Sequence, residues 1–171
     1  MENKAYSLVA WTDNGNLRMV PSLVSELSAP YQKKVDDLEA RWGQEENEVG
    51  FLIALSRAWE EFARFFVSVD YRKQAWQCYS KAAMVCAYCS DNLWLQGTRG
   101  DFPVLPLLYR FLAMHARCMR LMKEDRTLQY MYRDSDLESH YCWFTLDDRD
   151  TEEEIRAGFE YMRAWRFGRN G

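Results

Sequence analysis

The stretch that decides the fold is RAWEEFARFFVSVDYRKQAWQCYSKAAMVCA, residues 57–87. In its first half, Trp59, Phe62 and Phe66 recur at intervals of three and four residues, which places them on one face of a helix. Residues 69–71 offer a short turn, and a second helical pattern follows. Two antiparallel helices pack closely only where small residues meet. The stretch therefore predicts a helical hairpin whose contact is formed by Ala63, Ala75 and Ala82.

The same spacing resembles a known family. Trp59, Phe62, Ala63 and Phe66 follow the W-x2-L-G-x2-Y pattern of the tetratricopeptide repeat with conservative exchanges. The second half resembles the A-x3-F-x2-A run of that family's second helix, through Ala75, Tyr79 and Ala82. Ala63 stands where glycine is usual. Ala87 stands where proline normally ends the unit, so the second helix is expected to run on through Tyr88 and Cys89 towards Leu95.

The resemblance covers 31 of 171 residues, a single unit. An ordinary helical hairpin with the same spacing is the alternative, since a lone repeat cannot bury its own face. In tetratricopeptide proteins the exposed side of the first helix lines a ligand groove. The resemblance thus implies a non-enzymatic interaction module that binds a peptide or protein, and it assigns the groove to Arg57, Glu60, Arg64, Val67 and Ser68. These residues lack the Lys/Asn pattern with which the family clamps a terminal carboxylate.

Composition and charge favour one globular domain spanning residues 1–171. The chain is 48% apolar and 28% charged, which is typical of a globular protein, and its aromatic content of 15% is high. A net charge of −4 argues against broad nucleic-acid binding. Five cysteines, an odd number, indicate a reducing compartment. With no secretory pattern and no apolar run long enough to span a bilayer, we expect a cytoplasmic protein without a membrane partner. The sequence leaves the oligomeric state open.

Outside the central stretch the patterns are mostly helical. Side chains alternate along residues 6–11, and an Asn14-Gly15 turn leads into residues 17–20, which together predict a small β-hairpin. Residues 1–28 could form a loosely attached arm. The four prolines are expected to stand where helices begin. Tyr31, Val35, Leu38 and Trp42 then form an apolar stripe that Gly43 ends.

Further helices are predicted to open near Glu48, at an Asp70 N-cap, and at an Asp101 N-cap with an end near Lys123. Two capping boxes, Ser135-x-x-Glu138 and Thr151-x-x-Glu154, precede later apolar faces. The sequence therefore predicts an all-α fold of antiparallel helix pairs, arranged as a right-handed array like that of tetratricopeptide repeats.

Arginines supply the second group of candidate binding residues. Arg110, Arg117 and Arg120 fall at i, i+7 and i+10, which predicts one stripe of the fourth helix opposite its leucines, and replacing all three is expected to leave folding intact. Such a stripe could hold an acidic peptide, a phosphate backbone, or only solvent and neighbouring carboxylates. A second stripe is predicted on the last helix from Arg156, Arg163, Arg166 and Arg169. The alternative function is therefore a nucleic-acid-associated regulator that uses both arginine stripes.

Signals for catalysis and metal binding are weaker. The two histidines, His115 and His140, stand in no recognised nucleophile context, and no phosphate-binding loop occurs, so we expect no enzyme and no cofactor. The pairs Cys86/Cys89 and His115/Cys118 each have i, i+3 spacing and could supply soft ligands to zinc or an iron cluster. A metal-binding sensor or enzyme using Cys86, His115 and Cys118 is thus a second alternative. Small cysteines packed between helices are the simpler interpretation.

Overall fold

The fold is all-α apart from a short two-stranded ladder near the N-terminus, as its sequence predicts. The computed structural model describes residues 9–11, 17–19, 21–45, 49–87, 105–135, 137, 152–157 and 160. The elements are β1 (Val9–Trp11), β2 (Leu17–Met19), α1 (Pro21–Glu45), α2 (Val49–Ser68), α3 (Arg72–Ala87), α4 (Leu105–Glu124), a 3₁₀ turn (Arg126–Leu128) and α5 (Gln129–Arg133). A further helical segment covers 152–157. No helix in these ranges is long and apolar enough to cross a membrane.

The N-terminal strands pair antiparallel, with Val9 opposite Met19 and Trp11 opposite Leu17. This ladder lies where the sequence predicts a hairpin, although the expected turn residues fall outside the described ranges. The predicted arm of residues 1–28 extends too far. Residues 21–28 belong to α1, and Val24 is buried in the main core.

Helix α1 corrects two predictions about where helices begin and end. Pro21 opens it, as expected, but Pro30 lies inside it and Gly43 does not end it. An internal proline costs a helix about 3 kcal/mol through a lost hydrogen bond and a clash with the preceding turn. Here Val24 and Val35 are both buried, one on each side of Pro30. Core packing before and after the proline therefore holds the two halves in one helix.

The α2–α3 hairpin has the predicted small-residue contact. Ala63, Ala75 and Ala82 are all fully buried. The turn differs from the prediction, because Asp70 is not the N-cap of α3. It has a left-handed backbone (φ 59°) and ends α2: its N–H donates to Val67 O at 3.1 Å, and the N–H of Tyr71 donates to Phe66 O at 2.9 Å. This is the Schellman pattern of a helix C-terminus, in which asparagine or aspartate can replace the usual glycine.

Successive helices run antiparallel. Across α1 and α2, Lys34 Nζ lies 2.9 Å from Glu61 Oε2, and the rings of Tyr31 and Phe62 stack at 5.9 Å. Across α3 and α4, Arg72 Nη1 lies 3.2 Å from Glu124 Oε2 at one end of the pair. Helices α2 and α4 consequently run parallel on the same side of α3. The handedness of the array and its likeness to tetratricopeptide repeats stay predictions.

The chain after α4 is described in part. Helix α4 ends at Glu124, one residue beyond the predicted end, and Asp125 caps the 3₁₀ turn by accepting from the N–H of Thr127 at 3.0 Å. The hydroxyl of Ser135 donates back to Tyr132 O at 2.8 Å. Asp101, Glu138 and Thr151, which the predicted caps involve, lie outside the described residues. The 152–157 segment is helical, and its Ile155 joins the core.

Candidate functional site

Arg110 is the centre of the most highly connected polar cluster. Its side chain is only 3% exposed, yet it donates from three nitrogens: Nε to Ser56 Oγ, Nη2 to Glu60 Oε1 and Nη1 to Glu152 Oε2, each at 3.2 Å. The Ser56 hydroxyl in turn donates to Ala82 O at 2.9 Å. One guanidinium thus joins α2, α4 and the 152–157 segment, and Ser56 extends the network to α3.

This placement corrects the sequence prediction for two site residues. Arg110 was expected on an exposed stripe and Glu60 on an exposed groove face, but both are buried. The reason is that every residue of α4 from Leu107 to Ala116 is buried, so this half of the helix has no solvated face. A buried charge is stable only with opposite charges and hydrogen bonds around it, which Glu60 and Glu152 supply.

The other predicted arginines are more accessible. Arg57 is exposed and forms no ion pair with any described residue. Arg64 keeps a side chain that is 62% exposed while its Nη2 lies 3.6 Å from Glu60 Oε2. Arg120, near the end of α4, is exposed, and its Nε lies 3.9 Å from Glu124 Oε1. Arg117 is half-buried and donates to Ala113 O at 3.3 Å.

Arg64 of α2 and Arg117 of α4 both act on the phenol of Tyr79 in α3. Burial raises the pKa of the Tyr79 phenol, and the guanidinium groups of Arg117 and Arg64 both act on it in the opposite direction. Both arginines are therefore within electrostatic reach of the same phenol, one from α2 and the other from α4. Arg57 lies on the same stripe of α2, two turns before Arg64. We call the surface formed by Arg57, Arg64 and Arg117 the arginine face.

The 152–157 segment packs against α4 beside the buried Arg110. Glu152 accepts from the buried Arg110, and the guanidinium carbon of Arg156 lies 5.3 Å from the centroid of the Tyr109 ring. Ile155 is 6% exposed. An acidic helix is therefore held against α4 by one carboxylate, one apolar side chain and one cation–π contact.

The proposed metal ligands do not converge. Cys118 Sγ lies 3.9 Å from the carbonyl oxygen of Trp76, so Cys86 is ten residues further along α3, about 15 Å at the helical rise. Burial raises the pKa of the Cys86 thiol to about 11 and lowers that of His115 to about 4. Within the described ranges no group of three or more histidine, cysteine, aspartate or glutamate side chains could hold a metal ion. Cys89 lies outside these ranges.

Sequence reasoning missed two features of this region. Ser56 falls among the apolar positions of α2, and Arg110 falls among leucines and aromatics of α4; each is a polar residue on an otherwise apolar face. Such a pair predicts a buried polar contact if both positions are considered together. Glu152 gave no such signal, because it belongs to an acidic run that also fits a helix N-terminus.

The chain matches no protein-family model, no curated protein and no solved structure. The resemblance of residues 57–87 to a tetratricopeptide unit therefore stays a prediction from sequence.

Proposed function

We propose that this protein is a non-enzymatic interaction module that binds an acidic peptide or protein segment on the arginine face. The observation that carries the proposal is the position of the 152–157 segment, an acidic helix that the fold already holds against α4 through Arg110, two helical turns before Arg117. Its contacts are those of a helical peptide on a protein groove, in which an apolar side chain anchors the helix and charges set its register.

Charge supports the choice of an acidic partner. Arg57 has no carboxylate among the described residues, and Arg64 shares Glu60 with the buried Arg110. Arg117 gives only a hydrogen bond to a backbone oxygen within the described chain. The arginine face therefore carries positive charge that the described carboxylates do not fully balance, in a protein whose net charge is −4. A local basic surface of this kind attracts carboxylates, and guanidinium groups bind them with directional hydrogen bonds.

The residues of the site perform no evident acid–base chemistry. Arg110 is held between two glutamates, and the buried thiols and His115 stay uncharged near neutral pH because burial opposes their ionisation. What the arrangement can do is bind and orient. Its working residues are Arg57, Arg64 and Arg117, with Arg120 further along α4, while Arg110 and Glu60 hold the helices beneath them.

A photo-crosslinking amino acid placed at position 57 tests the proposal in cells. We expect covalent adducts with a defined protein, identified by mass spectrometry, and their loss when Arg64 is also replaced by glutamate. The matched control places the same amino acid at Lys33, an exposed residue of α1. Adducts that are nucleic acids would favour the regulator instead. If the adducts formed from position 57 are no more specific than those formed from position 33, the arginine face is not an interaction surface.

A further inference from the structure

A second surface, separate from the arginine face, is formed by residues of α1, α2 and α3. It consists of two recesses. The first, of about 430 Å³, is lined mainly by Trp59, Phe66, Gln74, Trp76, Cys78 and Lys81. The second, of about 420 Å³, is lined mainly by Trp42, Trp59, Lys81, Met84 and Val85. Because Trp59 and Lys81 belong to both recesses, the two meet at this pair. We call the whole surface the Trp59–Lys81 groove.

Lys81 stands at the middle of the groove, where both recesses meet. Its Nζ lies 4.8 Å from the centroid of the Trp59 ring, a cation–π contact. No carboxylate of the described residues pairs with it. Glu39 lines the second recess, from α1, without forming an ion pair to Lys81. A single cation therefore separates two mainly apolar recesses.

Two buried indole groups along the groove also lack acceptors. Trp59 is 6% exposed and Trp76 is 3% exposed, and the Nε1–H of each has no hydrogen-bond partner among the described residues. The same holds for Gln74 Oε1, an acceptor in the first recess. A buried donor without a partner costs about 1–3 kcal/mol, and buried indoles normally find one. The two indoles and Gln74 thus give the groove wall buried polar atoms that the described residues do not satisfy.

We propose that the Trp59–Lys81 groove binds an amphipathic helical segment of a partner protein, with an acidic side chain between two apolar anchors. The acidic side chain pairs with Lys81, and the anchors fill the recesses on either side. The thirteen-residue interval of α3 from Gln74 to Ala87 is about 20 Å long, so a partner helix of roughly four turns matches it. Apolar anchors at both ends and a charge between them are the usual elements of helix-in-groove recognition.

Selection from a displayed library of helical peptides against the full chain tests this inference. We expect the enriched peptides to share an acidic residue flanked by apolar residues on one helix face. Lys81→Glu should weaken their binding by roughly tenfold or more, because it replaces an attraction with a like-charge contact. Changing the peptide's acidic residue to lysine should restore binding to the Lys81→Glu variant.

The matched control is Lys73→Glu, which makes the same charge change at an exposed position of α3 outside the groove. It should leave the affinity within about twofold, as should Arg57→Glu on the arginine face. Enriched peptides without an acidic residue would overturn the proposal. So would equal losses for Lys81→Glu and Lys73→Glu, or a selection that enriches no peptide. Success or failure here leaves the crosslinking result at position 57 unaffected, because the two surfaces are tested by different residues.

Discussion

Arg110 and Lys81 are both cations that lie against helix α2, but they have opposite surroundings. Arg110 is buried and gives hydrogen bonds to a serine and two glutamates. Lys81 is exposed, covers the ring of Trp59 and meets no carboxylate of the described chain. The first cation has its hydrogen bonds within the fold, whereas the second has no carboxylate partner among the described residues. Counting arginines or lysines along a sequence does not separate these two cases, because the difference depends on which helix packs where.

The largest effect is expected from Arg110→Met. Removing the guanidinium leaves Glu60 almost buried without its closest cation, and the loss of one partner of a buried pair costs about 3–5 kcal/mol. Urea unfolding at pH 7 measures the change. Arg120→Met, on the exposed end of the same helix, should shift stability by no more than about 0.5 kcal/mol. Similar losses for the two variants would show that Arg110 is not the structural cation that its contacts indicate.

This expectation corrects the sequence prediction that replacing Arg110, Arg117 and Arg120 together leaves folding intact. The triple replacement should unfold or strongly destabilise the protein, so a loss of binding in it would say nothing about the surface. Arg57 and Arg64 are the residues at which binding can be tested without disturbing the buried cluster.

His115 is also buried, but unlike Arg110 it stays uncharged at neutral pH. It is fully buried in α4, its Nε2 lies 3.2 Å from the Tyr132 hydroxyl, and burial lowers its pKa to about 4. The unfolded chain therefore binds a proton near pH 6.5 that the folded protein does not. The contribution of His115 to the free energy of unfolding is therefore fully present well above pH 6.5, and it is lost as the pH falls towards 4. Between pH 7 and pH 5 the loss should be about 2 kcal/mol.

Unfolding by urea at several pH values between 5 and 7 measures this slope. The second histidine is removed by His140→Gln so that only one imidazole titrates. Adding His115→Gln should then flatten the dependence. A slope that persists in the double variant would assign the pH effect to carboxylates instead.

The helical architecture was predictable because it rests on local periodicity. Trp59, Phe62 and Phe66 fix one face of α2, and the three small alanines fix where α3 meets it; all six are buried. The predictions that Pro30 begins a helix and that Asp70 is an N-cap are both wrong, and for the same reason. A proline inside a helix and an aspartate with positive φ are locally unfavourable, and only the surrounding tertiary contacts make them acceptable.

The site was less predictable, because it depends on contacts between distant segments. Arg110 and Arg117 differ by two turns on one helix, and their spacing gives them the same stripe. Packing of α2 and the 152–157 segment buries the first and leaves the second half-exposed. The Trp59–Lys81 groove likewise combines α1, α2 and α3, and no short motif marks it.

The smallest effect is expected from Lys81→Met. If Lys81 serves a partner, removing its charge should change the stability of the isolated chain very little. The lost cation–π contact is worth about 0.5–1 kcal/mol at an exposed site, and the methionine side chain still covers part of the Trp59 ring. Urea unfolding should therefore give a net change below about 1 kcal/mol, with Lys73→Met as the control for a lost surface charge on α3. A loss approaching that of Arg110→Met would mean that Lys81 is held by the fold, and the contrast between the two cations would then disappear.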